Sequence, residues 1–134
     1  MAAIAVATAG AIHVVESIEQ KTKPAAETIL AGAPVRVDTA GKFTNANGTS
    51  ATEADYYGIA IRSVVAGESL TAVRRGTLDG FTFTQAYSAK IYLSDTDGTL
   101  ADAAGTVSTI VGRVDSAWGT TVGTAADKVL LLTA

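Results

Sequence analysis

The chain has no cysteine, two prolines, one histidine and one tryptophan. Without cysteine there is no disulfide framework, no thiolate nucleophile and no cysteine-based metal site. Aromatic residues make up only 6% of the sequence, and much of its 48% hydrophobic content is alanine, so large core side chains are scarce. A core this thin is commonly completed by oligomerisation or by a partner surface. Charge is sparse as well: 17% of residues are charged and the formal net charge is −3. Arg74-Arg75 is the only adjacent basic pair. No basic stripe is left to neutralise phosphates, which argues against nucleic-acid binding. The N-terminal residues 1–12 are small and apolar, too short to span a bilayer and without the positive start of a secretory signal; the first basic residue is Lys21. These features predict a cytoplasmically synthesised protein with no membrane partner.

Glycine is plentiful, at 13 residues, and so are short alternating runs. Ile91 and Leu93 alternate with Lys90, Tyr92 and Ser94, the period-2 pattern of a half-buried strand. Asp97-Gly98 follows as a tight-turn signal, leading to Leu100. This unit has an earlier copy in Ala33-Pro34-Val35-Arg36-Val37 and Gly41-Lys42-Phe43. Val35 answers Ile91, Val37 answers Leu93, Gly41 answers Gly98 and Phe43 answers Leu100. Downstream, Tyr57-Gly58-Ile59-Ala60-Ile61 resembles Val111-Gly112-Arg113-Val114, and Ser69 to Val73 resembles Lys128 to Leu132. Three segments recurring in one order predict a duplication.

The expected architecture is all-β: a small β-sandwich or barrel-like domain built from two similar β-hairpin repeats, with an extended N-terminal arm. Residues 1–27 divide into arm, first strand and linker, and 28–134 form a single β domain, with repeat one at about 28–80 and repeat two at about 81–134. Pro24 disfavours a helix through the charged stretch Glu19 to Glu27, which reads as a solvated loop. The arm has two readings. It docks on a partner through Ala2, Ala3, Ile4, Ala5, Val6, Ala7 and Thr8, or it is a first strand tucked into its own domain.

No constellation carries catalysis. His13 stands alone in an apolar run, without second-ligand or triad company. Asp95-Thr96-Asp97-Gly98 has the start of a calcium loop but not its third acid or closing glutamate, so turn chemistry explains it better. The carboxylate pairs Glu16/Glu19 and Asp95/Asp97 lack a cleft that would raise a pKa. No phosphate-binding glycine motif is present. The chain is expected to be no enzyme and to need no cofactor or metal. Trp118 reads as an interface anchor or as a plug of the β core. Arg74 and Arg75 read as a contact for an acidic partner or as a solvated strand end.

Taken in order, Ala31-Gly32-Ala33-Pro34-Val35-Arg36-Val37-Asp38-Thr39-Ala40-Gly41-Lys42-Phe43, Tyr57-Gly58-Ile59-Ala60 and Ala66-Gly67-Glu68-Ser69-Leu70-Thr71-Ala72-Val73-Arg74-Arg75-Gly76 resemble the small capsid cement or decoration proteins of tailed bacteriophages. The chain departs from that pattern at Ala33, where a charged residue commonly precedes the proline, and at Ala89-Lys90, which stands for Ala-Pro in the second repeat. The resemblance implies a β-rich protein on the outer surface of the virion head. It implies a homotrimer that clamps neighbouring copies of the major capsid protein against internal pressure. The arm could add a strand to a capsid sheet edge. The alternative is a carbohydrate-binding or adhesive module of a virion fibre, motivated by Thr-rich loops and by Tyr56, Tyr57, Tyr87, Tyr92 and Trp118 as exposed aromatic candidates. A small hydrolase on a β barrel lacks a nucleophile–base pair.

Overall fold

A computed structural model describes residues 3–6, 12–116 and 128–133. Within them the chain is all-β, with eleven strands and no helix. The strands are β1 (Ala3–Val6), β2 (His13–Pro24), β3 (Pro34–Val37), β4 (Phe43–Asn45), β5 (Tyr56–Ala60), β6 (Ser69–Asp79), β7 (Phe81–Thr82), β8 (Lys90–Leu93), β9 (Leu100–Ala101), β10 (Ile110–Ser116) and β11 (Lys128–Leu132). They join in one antiparallel sheet, curled into a half-barrel, in the order β4-β3-β5-β6-β11-β10-β8-β9-β1-β7, with β2 along the other edge of β6. The barrel-like form of the expected architecture is the one realised.

The sheet order repeats the sequence duplication. Repeat one runs β4-β3-β5-β6 and repeat two β9-β8-β10-β11, joined where β6 meets β11. The registers agree residue by residue. Val35 faces Gly58 in the first copy and Ile91 faces Gly112 in the second. A bulge follows in both, at Tyr57 and at Val111. Val37 faces Phe43, as Leu93 faces Leu100. The turns start alike: Asp38 Oδ1 accepts the Ala40 N–H, and Ser94 Oγ accepts the Thr96 N–H. The backbone bonds Gly32 N–H to Ala60 O and Ser88 N–H to Val114 O also correspond. Gly32 has φ +87 and its counterpart Ser88 has φ 69, so the second copy holds a non-glycine residue in the left-handed region that the first fills with glycine.

In each repeat a glycine sits where two backbones close on one another. A Cβ built on Gly58 would lie 2.4 Å from the Val73 carbonyl oxygen, and one on Gly112 would lie 2.1 Å from that of Leu131. Val73 therefore answers Leu131, since Ile59 faces Val73 and Arg113 faces Leu131. In sequence, Ser69 to Val73 set against Lys128 to Leu132 puts Val73 at Leu132, one residue further on. Leu130, Leu131 and Leu132 offer no contrast by which hydrophobic pattern could fix that register, and a one-residue slip exchanges the faces.

Two expectations are corrected. The stretch Glu19 to Pro24 is not a loop; it continues β2, which pairs with β6 from His13↔Asp79 to Pro24↔Ser69. Pro24 ends the strand, a position that an edge strand tolerates. The repeat boundaries also move, because β6 serves both copies. Its first half closes repeat one against β2, as in Ala72↔Lys21. Its second half opens repeat two against β11, as in Leu78↔Leu130. Ala72 answers Leu130, so Lys21 answers Leu78, and residues 19–24 are the opening strand of repeat one. Leu78 is fully buried whereas Lys21 and Lys23 face water or lie near it, which is why the two strands look unrelated in sequence.

The core has two layers. Inside the curl lie Ile59, Val73, Leu78, Phe83, Ile91, Leu93, Val111 and Leu130. On the other face Ala25, Ile29 and Val64 cover Val35, Phe43, Tyr57, Leu70 and Ala72. All five residues of β5 are buried because it is covered on both sides.

Candidate functional site

The two repeats are locked together at their turns. The Gly48 N–H donates to Ser94 O at 2.8 Å, the Gly98 N–H to Ala46 O at 3.0 Å, and the Val107 N–H to Gly48 O at 2.7 Å. Buried Asn47 completes the lock: its Nδ2 donates to Asp97 Oδ1 at 3.1 Å, and its Oδ1 accepts from Thr49 N–H and Oγ1 at 3.0 and 2.6 Å. Asp95 accepts from Thr106 N–H and Oγ1 at 2.8 and 2.9 Å. Both turn carboxylates are thus occupied by the chain itself. Asn47→Ala leaves the Asp97 carboxylate and the Thr49 donors without their partner, and should cost about 1–3 kcal/mol in urea unfolding. An unchanged midpoint would show that the turns are not coupled.

Arg74 and Arg75 occupy different surroundings. Arg74 is the extra residue of a bulge in β6, its Nε is 3.8 Å from Glu19 Oε2, and its guanidinium lies 5.4 Å from the Tyr57 ring centroid. Lys21 Nζ approaches the same ring at 5.9 Å. Tyr57 is clasped by two cations, an arrangement suited to its electron-rich face. Arg75 is exposed and pairs across the strands with Glu19. Elsewhere Arg36 bonds Glu53 at 3.3 Å, and Asp38 is held below the usual carboxylate range chiefly by the Lys42 N–H.

The aromatic candidates for a glycan platform lie inward. Tyr56 and Tyr57 are buried, and Tyr87 and Tyr92 are half-buried. Lys128 Nζ covers the Tyr87 ring at 5.3 Å. Among the described residues no aromatic ring is exposed for a sugar to stack on. The Tyr56 hydroxyl is buried with no hydrogen-bond partner among the described residues. Burial pushes its phenol well above the ordinary value of 10.0. The folded chain then keeps a proton that the unfolded chain loses, so stability falls as pH rises above about 10. Tyr56→Phe should flatten that alkaline limb while leaving neutral-pH stability nearly unchanged, because no hydrogen bond is lost. Denaturation profiles from pH 7 to pH 11 read both effects; an equally steep limb in Tyr56→Phe would contradict the assignment.

The described part of the N-terminal arm is a strand of its own domain. Ala3 and Ile4 pair with Ala101 and Leu100 of β9, and Ala5 and Val6 with Thr82 and Phe81 of β7. Of the two readings of the arm, the tucked strand describes Ala3, Ile4, Ala5 and Val6; Ala2, Ala7, Thr8 and Trp118 lie outside the described residues. Ile4 is 6% exposed. With Val6, Phe81, Leu100, Ala31 and Ala33 it lines an apolar cleft of about 360 Å³. Leu30 stands at the rim, 62% exposed, and also lines an adjoining hollow of about 310 Å³ with Asn45 and Asp97. Sequence reasoning missed this cleft, since residues far apart in the chain build it. Leu30, flanking the Gly32 turn beside buried Ile29, was the only local hint.

Among the described residues no three His, Asp or Glu side chains gather as a metal site, and no helix is long and apolar enough to cross a membrane. No protein-family model matches the chain, and no curated protein matches it in sequence.

Proposed function

We propose that the chain decorates the outer surface of a tailed-phage head and stabilises it, as a homotrimer that clamps neighbouring major capsid subunits. The observation that carries this reading is the apolar cleft at the end of the sheet, with Leu30 exposed at its rim. Such a seat accepts an apolar side chain from a capsid subunit, and the duplicated sheet holds it rigidly. The residues on which the family resemblance rests support the frame: Gly58 admits the β6 backbone, and Ala66-Gly67-Glu68 forms a closed turn in which Glu68 accepts the Val65 N–H at 2.8 Å. Weak contacts repeated over a lattice add to large stabilisation. The reading assigns the chain no catalysis, cofactor, nucleic acid or membrane, and places it on the virion after synthesis in the host cytoplasm.

Purified protein should co-sediment saturably with heads of the phage that encodes it. Leu30→Asp should fold normally and bind about tenfold more weakly, the loss typical of an apolar anchor at an interface centre. Heads that sediment free of the native protein would refute the reading.

A further inference from the structure

We propose that the outer edge of β2 is a homodimer interface, where a second copy of the chain adds its own β2 antiparallel about a twofold axis at Gln20. This contact goes beyond head binding and does not depend on it; it is a twofold contact between two copies, distinct from the threefold contacts of the trimer proposed above. The first observation is the internal duplication. In repeat two the opening strand, Gly76 to Asp79, is paired on both edges, with β11 on one side and with His13 to Ser17 on the other. Its counterpart in repeat one, Glu19 to Pro24, pairs with β6 on one edge, and among the described residues nothing pairs with the other. Among the described residues the same architecture thus fills this edge once and leaves it open once.

The second observation is charge. The strand is acidic in its first half, at Glu16 and Glu19, and basic in its second, at Lys21 and Lys23. Antiparallel self-pairing about Gln20 sets Glu19 of each copy against Lys21 of the other; Ile18, the extra residue of a bulge in β2, lies at the end of this regular stretch. Axes at Glu19 or Lys21 would oppose like charges, which is unfavourable across strands. Lysines, bulges and a terminal proline ordinarily guard an edge against promiscuous pairing. Here a partner carrying Glu19 neutralises that guard, so the edge selects its own copy. Ile18, at 70% the most exposed large hydrophobic residue of the described chain, would be covered by the second strand. Glu19 and Lys21 touch Arg74 and Tyr57 in their own chain, yet both remain exposed and able to reach across.

The absence of native cysteine permits a direct test. Residues directly opposite on antiparallel strands have Cα atoms about 4.5–5.5 Å apart, within disulfide reach. Gln20→Cys should therefore oxidise to a covalent dimer. Thr22→Cys should not, because its twofold mate lies about 13 Å along the strand. Adding Lys21→Glu to Gln20→Cys should slow linkage about tenfold at low salt, and Glu19→Lys in the same chain should restore it. Positions 19 to 22 are all exposed, so folding is preserved and can be checked by circular dichroism. No linkage at position 20, equal linkage at positions 20 and 22, or indifference to Lys21→Glu would each overturn the proposal.

Discussion

Gly112→Ala should destabilise the protein by at least about 3 kcal/mol, near the upper end of what a single substitution does. The added Cβ would lie 2.1 Å from the Leu131 oxygen and 3.0 Å from its carbonyl carbon, both backbone atoms of the neighbouring strand. A flexible side chain could swing away; a ladder strand cannot, and opening it separates β10 from β11. Gly58→Ala should cost a similar amount, since its Cβ would lie 2.4 Å from Val73 O and 2.8 Å from Val73 C. Gly41→Ala is the control. Nothing lies within 4 Å of a Cβ there, and only the φ of +81 opposes alanine, worth about 1–2 kcal/mol. Chemical denaturation of the three variants reads the ranking. A Gly112 variant no worse than the Gly41 variant would remove the close approach on which the paired registers rest.

Ile4→Asp should remove at least about 3 kcal/mol, combining the lost burial of an isoleucine with the cost of placing a carboxylate among apolar groups. Its neighbours in the core include Phe81, Leu100 and Ala31, and none can pair with a charge. The local consequence is more specific than the global one. β1 should leave β7 and β9, baring Phe81 and Leu100, and the variant should bind an apolar dye such as ANS more strongly than the native chain. Native-like stability without dye binding would mean that Ile4 is not seated in the cleft.

Much of the frame was legible in the sequence. Alternation marked β3 and β8, the shared Gly58 and Gly112 marked β5 and β10 as counterparts, and the Asp97-Gly98 turn marked its hairpin. Duplication made these signals stronger, because each was seen twice. What failed to show was whatever depends on the surroundings of a strand. Lys21 and Leu78 hold equivalent places, but one strand is at the rim and the other between neighbours, so one carries charge and the other a core leucine. The joint use of β6 was hidden for the same reason: a closing and an opening strand run together without a turn between them. The tyrosine pair misled because aromatic residues in a Thr-rich setting look like a platform, whereas Tyr56 and Tyr57 are drawn inward as rare large side chains of a thin core. The cleft around Ile4 and Leu30 is a product of curling, which no local pattern records.

The most direct measurement of the functional account is release of packaged DNA from heads heated with and without this chain on their surface, followed by a dye that reports free DNA. The account predicts that decorated heads hold their DNA to a higher temperature, and that Leu30→Asp returns them towards the undecorated value. Identical release curves at saturating native protein would contradict it.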